Sequence, residues 1–281
     1  MPLPSPAIAS KSHPGSRPSD PLKPPRPSPL WIALGLVTGL YASFLLAMLL
    51  ATATYTSLPD LGKALSTREI RHSIQLSFLT CTASSLLSVA LAVPAGYFLS
   101  RSRFRGKQWL DAFLDVPIVL PPMVIGLCLL ILFQTGLGRF IEQAIPFTYT
   151  VAGVVLAQVV IGAAFAVRTM RGTFDHLSPR PEEVAMTLGC SRAQAIWLVT
   201  LPLARKGIFA AASVAWARSL GEFGPILVFA GATRMRTEVL PTTVWLELSV
   251  GNLEAAVAVS LLMVALALAV LTAVRGAGEQ V

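Results

Sequence analysis

Few side chains in this sequence have the type and spacing to do chemistry, and most of those fail on inspection. Cys81, Cys128 and Cys190 are far apart and form no Cys-x-x-Cys. Two of them fall inside apolar runs, so all three read as small buried thiols and not as a metal or disulfide set. His13, His72 and His176 stand alone, without ligand spacing, and a metal site has little support. No Gly-x-x-x-x-Gly-Lys-[Ser/Thr], His-Glu-x-x-His or Gly-x-Ser-x-Gly occurs. Gly62-Lys63 and Gly106-Lys107 lack both the upstream glycine and the following hydroxyl, so the chain cannot cradle ATP phosphates in that manner. Two groups survive. Arg218 and Glu222 are opposite charges four residues apart inside an apolar run, beside Gly221, Gly224 and Pro225. Residues 179–202 form the only long polar interruption in the later half of the chain.

The elements that must carry these groups follow from composition. Of 281 residues, 54% are hydrophobic and 13% charged. A soluble domain carries about 25% charged residues, and the deficit decides for an all-helical integral membrane protein. A spanning helix needs roughly 20 mostly apolar residues. Six runs qualify, at about 31–55, 74–99, 113–133, 151–167, 207–230 and 253–274. Residues 1–29 hold ten prolines and cannot bury a core, so a disordered tail is expected ahead of a membrane domain over 30–281. Ala51-Thr-Ala53 has the look of a signal-cleavage site, but the run before it exceeds the usual signal core and reads as a retained first span.

The charge pattern orients the chain. With six spans, fifteen Lys and Arg fall on the side of both termini and of the 168–206 segment, and six fall on the other side. Basic loops mark the cytoplasm. The net charge of +8 is thereby absorbed by topology, and nucleic-acid binding is not expected. Both termini and residues 168–206 are assigned to the cytoplasmic side of the membrane.

Within that cytoplasmic segment, Ser178 can cap a helix whose first turn holds Pro179, Pro181, Glu182 and Glu183, where proline and acids are favoured. Gly189 is placed to end it in a left-handed cap. Ser191 and Gln194 form a capping box for a second helix, which Pro202 interrupts. The segment reads as two short, stiff helices. An ordinary ordered loop would fit the same pattern.

The third run begins Asp115-Val-Pro-Ile-Val-Leu-Pro-Pro122, and Pro117, Pro121 and Pro122 forbid a smooth helix there. Broken backbone at membrane depth persists only when buried in protein or lining a wet cavity, so this span is expected in the interior. Arg218 and Glu222 share one helix face. They read either as an ion pair packing two helices or as groups near a translocation path or gate. Pro225 removes the bond to the Gly221 carbonyl, and a bend is expected.

Glu183-Val184-Ala185, three residues, Gly189, nine residues, then Val199-Thr-Leu201-Pro202 resembles the EAA motif of type I ABC importer permeases, with Val184 and Val199 as conservative departures. The resemblance covers about residues 70–274. It implies the MetI-like six-span bundle and a coupling helix that docks in a cleft of a cytoplasmic ATPase dimer. Glu183, Ala185, Gly189, Leu201 and Pro202 would be the coupling residues. It further implies a second permease copy, a homodimer by expectation, an extracytoplasmic oxyanion-binding protein, and ATP bound only by the partner. No cofactor is implied for this chain, and it would not itself be an enzyme.

Ala217-Arg-Ser-Leu-Gly-Glu-Phe-Gly-Pro225 and Thr237-Glu-Val-Leu-Pro241 are similar to the molybdate, tungstate and sulfate permeases of that family, as is 115–126. The cargo implied is molybdate or tungstate, with sulfate or thiosulfate as the alternative. Arg218, Gly221, Glu222, Pro225, Pro121 and Pro122 are the candidates for pathway or gate. An ion-coupled secondary transporter would want inverted repeats and membrane acids of its own, and a membrane-embedded enzyme would want a catalytic constellation; neither is evident.

Overall fold

The computed structural model describes residues 29–55 and 58–280, and the described residues are helices and short connections. The expectation for the tail over 1–28 lies outside them. They fall into two units, one ending at Leu50 and one beginning at Ala51. The first helix, α1 (Pro29–Thr54), has no polar face, and Trp31, Leu36, Leu40 and Phe44 are exposed. An apolar surface on this scale suits lipid and not water.

The second unit is built on α3 (Arg68–Arg101) and α7 (Val151–His176), the two long helices with the largest buried share among the described residues. Small residues line the buried face of α3. Ser73, Ser77, Thr80, Ser84 and Ser88 recur every three or four residues on α3 and are all buried. Without a hydrophobic driving force between helices in lipid, small residues let backbones approach and hydroxyls bond across. Gly96 shows the limit: a Cβ there would lie 2.8 Å from both the Arg171 amide nitrogen and the Met170 Cβ. α11 (Arg205–Leu220) completes the centre. Ser84 Oγ donates to Ser219 Oγ at 2.9 Å, Ser85 Oγ to the Ala212 carbonyl at 2.7 Å, and Gln158 Nε2 to the Ser219 carbonyl at 3.2 Å. α14 (Leu253–Gln280) and α2 (Leu58–Ser66) close one flank, with Ala255, Ala258 and Val259 packed near Ile70, Cys81, Leu220 and Leu240.

Proline shapes the rest, though not always where the spacing predicts. α4 (Lys107–Val119) runs straight through Pro117; the chain breaks at Leu120 and Pro121, and α5 (Pro122–Gln134) leaves at 110°. Pro122 tolerates the first helical position because its missing N–H would be unbonded there anyway. The interior expectation holds for α5, which buries Ile125, Gly126, Leu129 and Phe133, but α4 has no buried residue. A short helix, α6 (Gly136–Ala144), follows where only a loop is expected, its Thr135 cap accepting from Gly138 N–H. α7 continues to His176, nine residues past the expected end of its apolar run.

Among the described residues, four helices are long and apolar enough to cross a membrane, or up to six if each bent pair counts as one span; the second pair is residues 192–203 with 205–220, bent by 71°. α12 (Gly224–Phe229) and α13 (Leu240–Ser249) lie between α11 and α14.

Candidate functional site

Two places gather the sequence candidates. The first is the polar segment after α7. It folds as α8 (Arg180–Thr187) and α9 (Arg192–Ala195), then one π-helical turn over Ile196–Thr200 and the short α10 (Leu201–Leu203). Pro179, not Ser178, is the capping residue of α8, but the Ser178 hydroxyl still accepts from the Arg180 N–H at 3.4 Å. Gly189 has φ +97°, and among the described residues no atom beyond its own and its two chain neighbours' lies within 4 Å of where its Cβ would be. Glycine is therefore needed there for backbone conformation and not for close packing within the chain. The expected capping box is complete: Gln194 N–H donates to Ser191 Oγ at 3.3 Å, and Ser191 N–H to Gln194 Oε1 at 2.8 Å. The π-turn has a local cause. Pro202 offers no N–H to the Leu198 carbonyl, and the Leu201 N–H reaches back five residues to the Ile196 carbonyl.

The faces of α8 divide sharply. Glu182 and Ala185 are turned in and buried, while Glu183, Val184 and Leu188 are exposed, Leu188 at 81%. Of the named coupling residues, Glu183, Gly189 and Pro202 lie at the surface, Ala185 is buried, and Leu201 is half-buried against the cluster of Ala92, Leu99, Met170 and Phe174. What sequence reasoning missed is Glu182. Its Oε1 accepts from the Tyr97 hydroxyl of α3 at 2.6 Å, and its Oε2 from the Thr200 hydroxyl of the π-turn at 3.0 Å. The local pattern offered no signal for it, since Glu182 and Glu183 stand side by side on an eight-residue helix. Tyr97 carries no signal of its own.

Around this joint the chain is tied down further. Tyr97 stands edge-on to the buried Phe174, ring centres 5.6 Å apart. Arg101 Nη2 donates to the Leu177 carbonyl at 2.8 Å, and the Ser100 hydroxyl to Asp175 at 2.6 Å. Arg171 pairs with Asp111 of α4. A cavity of about 500 Å³ opens beside it, lined in part by Tyr97, Arg101, Arg103, Glu182, Glu183 and Arg192.

The second place is the break between α11 and α12. The helix stops at Leu220, and the Gly221 and Glu222 amides bond back only three residues, to Arg218 and Ser219. Arg218 Nη2 meets Glu222 Oε1 at 2.6 Å, with the Arg218 side chain 41% exposed and that of Glu222 3%. The pair lies within one segment, so it does not tie two helices together by itself. The link to α7 is the Arg218 guanidinium over the Phe165 ring, 4.9 Å from its centre. Pro121, Pro122, Arg218, Gly221 and Glu222 line a single crevice of about 380 Å³ with Met123, Phe223 and Gly224. Pro225 is buried behind it: a Cβ on Gly126 of α5 would lie 2.8 Å from the Pro225 Cα. On Gly224 a Cβ would lie 3.0 Å from Met123 N. The two proline-broken helices α5 and α12 thus start side by side. Among the described residues, no group of three or more His, Cys, Asp or Glu could hold a metal.

Comparison with known proteins agrees with this architecture. Residues 88–277 match the family described as "Binding-protein-dependent transport system inner membrane component". The molybdenum transport system permease protein ModB of Mycobacterium tuberculosis is 37% identical over 249 residues, 88% of this chain and 93% of that protein. A probable molybdenum ABC transporter permease protein of Haloferax volcanii is 38% identical over 203 residues, covering 72% and 73%. The sulfate transport system permease protein CysT of Salmonella typhimurium is 31% identical over 210 residues, covering 74% and 76%. Among solved structures, a bacterial alginate ABC transporter in complex with alginate pentasaccharide-bound periplasmic protein has a chain of the same fold, with TM-score 0.70 at 14% identity, covering 89% of this chain and 94% of that one. The chain belongs to the binding-protein-dependent transport system inner membrane component family: it is an all-helical, multi-pass membrane permease subunit of an ABC importer.

Proposed function

We propose that this permease carries a tetrahedral oxyanion, molybdate or tungstate, through a path formed with a second copy of itself, and that ATP is bound and hydrolysed by a separate cytoplasmic subunit. The observation that carries the coupling half is the two-faced helix α8. Glu183, Val184 and Leu188 project from it as a small amphipathic surface, while Glu182 and Ala185 hold it to the bundle. That is the form of a handle: a rigid exterior element with a surface for a partner and a firm attachment behind it. ATP-driven closure of the partner dimer would move α8, and with it the bent segments at Pro121–Pro122 and Gly221–Pro225, between inward- and outward-open arrangements. With six spans and both termini in the cytoplasm, an orientation that the distribution of Lys and Arg supports, the handle would lie on the ATPase side.

Co-purification tests this half. The wild-type chain should recover its ATPase subunit from detergent, and Gly189→Asp should not. Recruitment indifferent to Gly189→Asp overturns the coupling role.

The cargo half rests on the relatives named for molybdenum, which cover most of this chain. The crevice supports a passage and not a tight anion site, since Glu222 neutralises Arg218 and both freed carbonyls and carboxylates repel anions. Capture would fall to the extracytoplasmic binding protein. Calorimetry of that protein against molybdate, tungstate and sulfate decides the cargo. The sulfate reading has the CysT relative in its favour, and preference for sulfate would establish it.

A further inference from the structure

We infer that Glu182 is the positioning residue that delivers motion of α8 to two transmembrane helices at once, through Tyr97 to α3 and through Thr200 to α11. This rests on the coupling role proposed for α8. Glu182 is 8% exposed and stands beside the exposed Glu183, so the two adjacent acids have opposite duties: one outward to a partner, one inward to the bundle. Each carboxylate oxygen of Glu182 is engaged by a different element, the Tyr97 hydroxyl at 2.6 Å and the Thr200 hydroxyl at 3.0 Å. A charged acceptor makes both bonds stronger than neutral ones, and the short Tyr97 contact fits that.

Both recipients lead into α7 by close packing. Gly96, next to Tyr97, lies against Met170 and Arg171, and the Tyr97 ring rests on Phe174. Thr200 ends the π-turn, two residues before Pro202 and five before α11 begins. Near the start of α11, Gly207 abuts Thr173 so tightly that a Cβ would collide with its side chain. α8 is otherwise a two-turn helix with only Glu182 and Ala185 buried, so Glu182 is its one polar anchor to the bundle among the described residues. For a short helix held by one buried residue and one two-armed carboxylate, those arms are the direct side-chain route by which a rotation reaches α3 and the π-turn, beside the backbone connections at its ends.

The test uses the whole complex, with its ATPase subunit and binding protein, in proteoliposomes with molybdate. Tyr97→Phe and Thr200→Val each remove one hydroxyl at nearly constant shape. ATPase recruitment should stay at the wild-type level while molybdate moved per ATP hydrolysed falls, by about tenfold for a lost bond to a charged group. Thr200→Ser restores the hydroxyl and should restore the ratio. In Glu182→Ala, adding Tyr97→Phe should cost nothing more, because the bond is already gone. Wild-type ratios in Tyr97→Phe and Thr200→Val overturn the inference, as does a loss that Thr200→Ser shares. If Gly189→Asp leaves recruitment intact, the handle itself fails and the inference falls with it. A normal ratio in the hydroxyl variants with recruitment still sensitive to Gly189→Asp refutes Glu182 alone.

Discussion

The two charged sites of this permease are wired in opposite ways. Glu182 reaches across to two other elements and has both oxygens occupied, so its neighbourhood is cross-braced. Glu222 finds its partner four residues away on its own segment, and that partner, Arg218, leaves much of its side chain exposed over an open crevice. A bond between elements transmits displacement; a bond within one element sets local shape and charge. The α8 segment is built as a joint and the break between α11 and α12 as a lining. The glycines follow the same division. Gly189 is required for its backbone angle, whereas Gly126 and Gly224 are required because α5 and α12 touch through them.

The comparison can be broken by substitution, and the largest effect is expected where backbone meets backbone. Gly126→Leu would drive side-chain atoms into Pro225, whose Cα already lies 2.8 Å from the site of a Cβ. Loss of most of the detergent-stable protein, seen by size-exclusion chromatography, is expected, since overpacking costs of the order of 1–3 kcal/mol or more when backbone must yield. Gly126→Ala should fall between Leu and wild type.

Next is Glu222→Gln. It removes the charge that neutralises Arg218 and leaves the shape nearly unchanged. Uptake should drop several-fold, with recruitment of the ATPase subunit unchanged and the order of preferred anions unaltered when the binding protein is held fixed. A changed anion preference would make the crevice a selectivity site and erase the contrast with Glu182.

A smaller effect is expected at the cap. Ser191→Ala removes an N-cap bond worth typically about 1 kcal/mol, and the ATPase subunit should still co-purify, with a modest fall in the thermal stability of the complex.

The smallest concerns a third acid, Glu238, in the connection between α12 and α13. It is fully buried, and burial pushes its carboxyl above the usual carboxylate range, against the opposing pull of Thr243 and Arg234. An acid with a raised folded-state pKa favours the folded chain while protonated. That contribution is present at and below the unfolded pKa and is lost as pH rises toward the folded value. Glu238→Gln should therefore flatten the pH dependence of thermal stability over that window. A melting curve as steep in pH as wild type would contradict this.

Local features were legible in the sequence because local chemistry dictates them. The Ser191–Gln194 box, the left-handed Gly189 and the break at Gly221–Pro225 each follow from residues within a few positions of one another. The break near Pro121 was legible in kind but not in position, because a helix can absorb Pro117 when the carbonyl left free costs less than a second kink, and only tertiary packing sets that balance. Tyr97 and Glu182 are separated by 85 residues, and nothing short of the fold brings them together. Which of two neighbouring acids faces inward could not be settled by periodicity over an eight-residue helix. The extension of α7 to His176 likewise rests on contacts of Arg171 and Asp175 with α3 and α4, which hydropathy does not see.

The π-turn over Ile196–Thr200 has a consequence for how this segment tolerates change. A π-turn holds one residue more than an α-turn, and each helical residue advances the chain by about 100°. Deleting Val199 would let the turn relax to α geometry, in which one residue fewer makes nearly the same rotation, so the flanking segments would keep close to their present phase and the Thr200 hydroxyl its side of the helix. The wide turn is thus a reserve of length that can be given up without turning α11 against α8. A deletion scan read by uptake should find one missing residue within 196–200 better tolerated than one missing from α11, where no wide turn exists to take it up.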